Sequence, residues 1–224
     1  MFDDILDSSS LNINELEKTD NKPTNSYSNN GNNNYQRKFV LAKKKEEIPQ
    51  EPYVPVCIFV DREFPPEAKQ SLFNIASKLL AKNITVRVNG DDKEFIDKLL
   101  PLSDKYLEVY IPWKNFNNIE SKHYFNSITS KEIARRNFLG WEKVPDPVKA
   151  ILSRNVRMIF GDKNNSIVLC VITWSKDGAS KVSEVTKETG KSQFIIKTAS
   201  TYGFPVVNIA KPNAGNILEK TFGI

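Results

Sequence analysis

From about Pro52 onward the chain repeats one pattern, a short apolar run of β-formers followed by a segment with apolar residues at helical spacing. "VPVCIFV" is uniformly apolar and predicts a strand buried on both faces. The next segment, "PPEAKQSLFNIASKLLAKN", opens on two prolines and places Leu72, Ile75, Ala76, Leu79 and Leu80 on one helical face. "ITVRV" predicts a second strand, "DDKEFIDKLLP" a short helix and "YLEVYIP" a third strand. The region from Ser130 to Asn155 reads as helical, interrupted by "PDP". "SIVLCVITW" is the most strongly β segment, "SQFIIKTASTYG" a helix ended by Gly203, and "FPVVNIA" the last strand. Strands alternating with helices predict an α/β fold, a Rossmann-like parallel sheet with helices on both faces, over residues 51–224.

Residues 1–50 follow a different rule. "NKPTNSYSNNGNNNYQ" is almost pure Asn, Ser and Gly, and offers little apolar surface to offset the entropy of ordering it. A disordered tail is expected, with Phe2, Ile5 and Leu6 in an acidic tip and a basic arm from Arg37 to Lys45. Two readings of it stand side by side: a solvated leader, or a partner-binding tip with a polyanion-binding arm. The tip loosely resembles the tails by which single-stranded-DNA-binding proteins recruit partners.

The chain carries 32 Lys and Arg against 27 Asp and Glu, a net charge of +5 that permits a polyanionic partner without requiring one. Cys57 and Cys170 sit inside apolar runs and read as buried hydrophobes in a reducing compartment. No stretch has the length and apolarity of a membrane span, and the opening "MFDDILDSSS" is acidic, unlike a secretory signal. These features predict a soluble cytoplasmic protein that does not engage a membrane. No cluster has metal-ligand spacing, and no cofactor is specified.

In open α/β sheets ligands bind beyond the carboxyl ends of the strands, so the loops there are the candidate site. They carry Asp61 and Arg62 after the first strand, and Asn89, Gly90, Asp91 and Asp92 after the second. After the third come Trp113, Lys114, Phe116 and Asn117. After Trp174 come Asp177 and Gly178, and then the turn Thr189, Gly190, Lys191 and Ser192. Individually, Asp61 reads as a helix cap, and Gly90 and Gly178 as turn glycines. Together the cations and aromatic rings form a rim suited to a base and a phosphate. The "GKS" of that turn does not complete a P-loop, because the position that needs the first glycine holds Val185.

These segments, in this order, resemble the SLOG superfamily of Rossmann-like nucleotide-binding proteins, and most closely its phage-borne relatives of the DNA-processing protein DprA. "VDREFPPEA" corresponds to the family's first loop, "VNGDD" to its second and "IPWKNFNN" to a Leu-Pro-Trp-Lys-Gly-Phe-Asn segment. Arg154-Asn155 corresponds to an Arg-Asn pair on a later helix, "VITWSKDG" to a strand ending in Trp-x-x-Asp-Gly, and "TGKS" to a Thr-Gly-Gly-Thr phosphate-binding turn. The likeness runs from about Val54 to Ile209. It implies a nucleotide-binding rim that includes Arg154 and Asn155, self-association, and, for a phage protein, a place in the host cytoplasm and in phage DNA metabolism.

Departures from the family pattern are as informative. The second glycine of the turn is Lys191, and the first loop lacks its Thr-Gly-Ser. Family members that cleave N-glycosidic bonds place a glutamate on the following helix, whereas "KSQFIIKTAS" has no carboxylate. His123, the only histidine, lies in the polar stretch "ESKHYFNS" with no evident partner. The expected function is non-catalytic binding of a nucleotide, a nucleotide-derived ligand or single-stranded nucleic acid. The alternatives are an N-glycosidase-type hydrolase, and an interaction or structural protein on a decayed SLOG fold recruited through its tail.

Overall fold

The computed structural model describes residues 54–125, 127–162 and 166–224. The expectations for residues 1–50 fall outside the described residues.

The strands β1 (Val56–Ile58), β2 (Val86–Asn89), β3 (Leu107–Tyr110), β4 (Val171–Thr173) and β5 (Val206–Asn208) form one sheet. Its order is β3-β2-β1-β4-β5, with every pair parallel. Cys57 is opposite Arg87 on one side and Val171 on the other, so β1 is the central strand. Val56, Cys57 and Ile58 are fully buried, as a continuous apolar run in a parallel sheet demands.

The helices are α1 (Pro66–Ala81), α2 (Lys93–Leu99), α3 (Ile128–Asn137), α4 (Asp146–Phe160), α5 (Gln193–Thr201) and α6 (Ala214–Phe222). Right-handed crossovers dictate their placement. The connection β1-α1-β2 runs toward one sheet edge and β4-α5-β5 toward the other, which sends α1 and α5 to opposite faces. The sequence changes direction between β1 and β4, the switch point where such sheets open a crevice.

Local chemistry sets the element ends. Pro65 and Pro66 start α1, whose inner face buries Leu72, Ala76, Leu79 and Leu80. Asp92 caps α2 by accepting the Phe95 N–H at 3.0 Å. The cysteines are free and buried, and burial pushes the Cys170 thiol up to about 12.

Three expectations are corrected. "PDP" does not interrupt a helix. It opens α4, with Pro147 in the first turn, where a missing N–H costs nothing, and the helix runs past Asn155 to Phe160. "SIVLCVITW" contributes only Val171–Thr173 to the ladder. Ahead of it, the Leu169 N–H bonds to the Pro55 carbonyl and the Val168 N–H to that of Ile159. His123 does not sit in an unpartnered polar loop. It makes a parallel bridge with Tyr110, and the Ile111 N–H donates to its carbonyl at 3.0 Å.

Gly90 is small because β3 lies against it. A methyl group there would meet Ile111 Cγ2 at 2.6 Å and Ile119 Cδ1 at 3.1 Å. Gly90→Ala is expected to overpack this seam and to lower stability by about 1–3 kcal/mol, read as a lower urea midpoint. An unchanged midpoint would show that the seam yields freely.

Candidate functional site

A cleft of about 440 Å³ opens at the switch point. The loop after β1 contributes Asp61, Arg62 and Glu63, the loop after β2 Asp91, and the loop after β3 Phe116 and Asn117. Helix α4 supplies Ile151, Leu152 and Asn155, the turn before α5 supplies Lys191, and α5 itself supplies Phe194. Phe59, Phe116, Ile151, Leu152 and Phe194 give it an apolar wall, and the charged groups gather on the loop side. Leu152 and Phe194 belong to a small second core with Ala134, Trp141 and Val156, so that wall is anchored.

The frame of the cleft is polar and locked. Asn89, only 1 % exposed, accepts the Val60 N–H at 2.8 Å and donates to the Val60 carbonyl at 2.5 Å and to Asp91 at 2.8 Å. Arg154, fully buried on α4, meets Asp91 with two parallel hydrogen bonds of 3.1 and 2.8 Å, and its Nε donates to Asn155 at 2.9 Å. Both residues were expected to touch ligand. Their polar atoms are instead spent on joining the ends of β1 and β2 to α4.

"NFNN" owes its asparagines to backbone geometry. Asn115, Asn117 and Asn118 have φ of 60°, 52° and 55°, a left-handed region that asparagine tolerates better than most residues. The resulting turn presents Phe116 to the cleft, and Asn117 donates to the Gly90 carbonyl at 2.9 Å. Trp113 packs edge-on against Phe116 at 4.9 Å but stays 41 % exposed and does not line the cleft. Lys114 lines a separate shallow groove with Glu120 and Lys122.

On the β4 side most of the expected contacts face inward. Asp177 accepts hydrogen bonds from Thr186 (2.6 Å), Thr189 (2.5 Å), Ser175 (2.7 Å) and the Ala179 N–H (3.1 Å). Burial pushes its carboxyl upward, but these four donors hold it well below the usual carboxylate range. Asp177 therefore braces the turn and has no free valence for a ligand. Ser192, also buried, donates to the Trp174 carbonyl at 2.6 Å. Trp174 packs edge-on against Phe64 at 5.3 Å instead of offering a stacking face to the cleft. Gly178, at φ 69°, makes the turn itself.

Gly190 has φ 58° and ψ −132°, open to glycine and closed to other residues. Lys191 is not among the positive-φ residues, so its side chain meets no such strain. Its ammonium lies 3.8 Å from Glu63, with both side chains largely exposed. Of the expected rim, Arg62, Phe116, Asn117, Asn155 and Lys191 converge on the cleft. Asn89, Gly90, Trp113, Lys114, Arg154, Trp174, Asp177, Gly178, Thr189, Gly190 and Ser192 stand outside its lining.

Two sets of groups do more than the sequence suggests. Asp61 does not cap α1. It accepts the Glu63 N–H at 2.9 Å and turns into the cleft, where burial raises its carboxyl, the Glu63 N–H pulls it down and Asp91 pushes it up. The apolar positions 148, 151 and 152 on α4 were readable as a helical stripe only once "PDP" became a helix start.

The second set surrounds His123. Its Nδ1 lies 2.5 Å from Asp162, its ring stacks on Tyr110 at 4.6 Å, and its Nε2 is buried without a partner among the described residues. Arg157 also pairs with Asp162 at 3.0 Å and lies over Tyr110. None of these residues lines the cleft. Among the described residues no cluster suits a metal ion, and no helix is long and apolar enough to cross a membrane. Fold and site together define an α/β protein with an all-parallel five-stranded sheet and an open cleft at its switch point. Searches among protein-family models, curated proteins and solved structures find no match to the chain.

Two outcomes are expected. Arg154→Met strands the Asp91 carboxylate and is expected to cost about 3 kcal/mol, read by urea unfolding; a loss within error would show that the pair contributes nothing. Burial raises the Asp162 carboxyl, but His123 and Arg157 more than reverse this and leave it below its ordinary value. A depressed folded-state value means stability that is present above the unfolded value and is lost as pH falls through the folded one. Asp162→Asn is therefore expected to destabilise the protein at neutral pH and to flatten its acid-unfolding limb. Parallel limbs for variant and parent would contradict the pairing.

Proposed function

We propose that the switch-point cleft binds a nucleotide or nucleotide-derived ligand without chemical turnover. The observation that carries this reading is the joining of an apolar, aromatic wall to a charged end, with Arg62 and Lys191 beside Asp61, Glu63 and Asp91, in one cleft of about 440 Å³. That volume suits one mononucleotide better than a polymer. Phe116, Phe194 and Ile151 are the surfaces for a base. Lys191, Arg62 and the N–H groups where the Gly190 turn enters α5 are the donors for a phosphate.

Binding without turnover draws its support from four neighbouring acids that are engaged elsewhere; Asp61 and Glu63, which line the cleft, are not among them. Asp91 is held by Arg154, Asp92 caps α2 and pairs with Lys69 at 3.0 Å, and Asp177 braces the turn. Glu188 pairs with Lys176 at 3.0 Å on the surface.

Calorimetry of the full chain with the four nucleoside 5′-monophosphates, the parent nucleosides and a single-stranded oligonucleotide tests the reading. Saturable binding of at least one nucleotide is expected, weakened about tenfold by Lys191→Ala, the loss of about 1.4 kcal/mol. Binding of the oligonucleotide but of no nucleotide would replace the ligand by a strand. Binding of neither would overturn the reading.

A further inference from the structure

We propose that the cleft takes up its anionic ligand together with a proton, and that Asp61 is the group that receives it. This rests on the nucleotide-binding reading and specifies how that site is regulated.

The charge balance at the mouth is the starting point. Lys191 is the cation at the turn, and Glu63 already stands 3.8 Å from it. Asp61, two residues before Glu63, lines the same cleft, and its side chain accepts the Glu63 backbone N–H. Asp91 faces it from the β2 loop, but the charge of Asp91 is matched by the buried Arg154 of α4. Arg62 lies on the loop of Asp61 and lines the cleft beside it. The charged groups facing Asp61 are therefore Glu63, Arg62, Asp91 and Lys191. Among the carboxylates of the cleft, Asp61 alone lacks an ion-pair partner among the described residues.

A phosphate drawn to Lys191 enters beside that carboxylate. Like charges at short range disfavour joint ionisation, so the ligand shifts Asp61 toward its protonated form. The direction is already set in the free protein, where burial and Asp91 raise the Asp61 carboxyl. Protonation removes the repulsion and converts Asp61 into a hydrogen-bond donor to a phosphate oxygen. The proton comes from solvent and forms an O–H bond on the carboxylate; no other covalent bond changes. Linkage then requires affinity for an anionic ligand to rise as pH falls, by at most about tenfold per pH unit for one proton. Glu63 acts differently. It is an exposed competitor for Lys191 and the smallest of the influences that raise Asp61, so its removal strengthens binding while leaving Asp61, and with it the pH slope, in place.

The test uses ligands whose own charge is constant. The methyl esters of the four nucleoside 5′-monophosphates are phosphodiesters with one fixed charge, and the parent nucleosides are the uncharged controls. Calorimetry of the full chain from about pH 8 to about pH 5, in buffers of different ionisation enthalpy, reads both affinity and protons taken up. Affinity for the ester is expected to rise on acidification with uptake of up to one proton, while nucleoside binding stays flat. Asp61→Asn is expected to bind the ester tightly at neutral pH with little pH dependence. Glu63→Gln is expected to keep the slope and to gain up to about fivefold at every pH.

A flat profile for the parent protein, or an undiminished slope in Asp61→Asn, would overturn the proposal while leaving the cleft as the binding site. Equal binding of ester and nucleoside would do the same, because the phosphate would then lie away from Asp61. Failure of every nucleotide, ester and nucleoside to bind at any pH would overturn the nucleotide reading and this proposal with it.

Discussion

The two parallel hydrogen bonds between Arg154 and Asp91 are the constraint on which the open end of the sheet depends. A guanidinium with no exposure is stable only where its charge and its donors are met, and Asp91, Asn155 and the packing of α4 meet them. The consequence reaches three elements. Asp91 fixes the loop after β2, Asn89 carries that order to Val60 after β1, and Arg154 fixes the roll of α4. The cleft is the space these three leave. Its walls are therefore set by a polar network whose members are mostly hidden from a ligand.

Helix α4 carries a second ionic contact one turn further on. Arg157 meets Asp162, which in turn holds His123 against the ring of Tyr110 at the edge of the sheet. Arg154 and Arg157 both face inward, an expensive arrangement that apolar residues of similar volume would often match for stability. What the arginines add is direction. Each is satisfied only when one particular carboxylate lies opposite, so the pair sets the register of α4 over the sheet more narrowly than leucines would.

Much of the fold was readable because it rests on local pattern. The buried strand "VPVCIFV", the proline-started α1, the capped α2 and the Gly203 stop all announce themselves within a few residues. The α4 start was misread because a proline breaks a helix in its middle and begins one in its first turn, and only the surroundings decide which. The site was readable by address and not by orientation. Lys191, Phe116, Asn117 and Arg62 do meet in one cleft, as the strand-end rule predicts, and Asn155 of α4 joins them. Asn89, Thr189 and Ser192 share that address but point inward, because their partners lie on other segments of the chain. Arg154 and Asp91 are 63 positions apart, and no local pattern joins them. Asp61 escaped for the opposite reason, since the cap it was expected to form is made unnecessary by Pro65 and Pro66.

A nucleotide is proposed to sit in the cleft between the β1 loop, α4 and the Gly190 turn. A crystal structure of the full chain grown with a nucleoside 5′-monophosphate tests it most directly. The expected structure has a phosphate on Lys191 and the backbone N–H groups at the start of α5, with the base against Phe116 and Phe194. A nucleotide seated instead in the groove beside Lys114, or bound through Trp113 with the cleft empty, would contradict it.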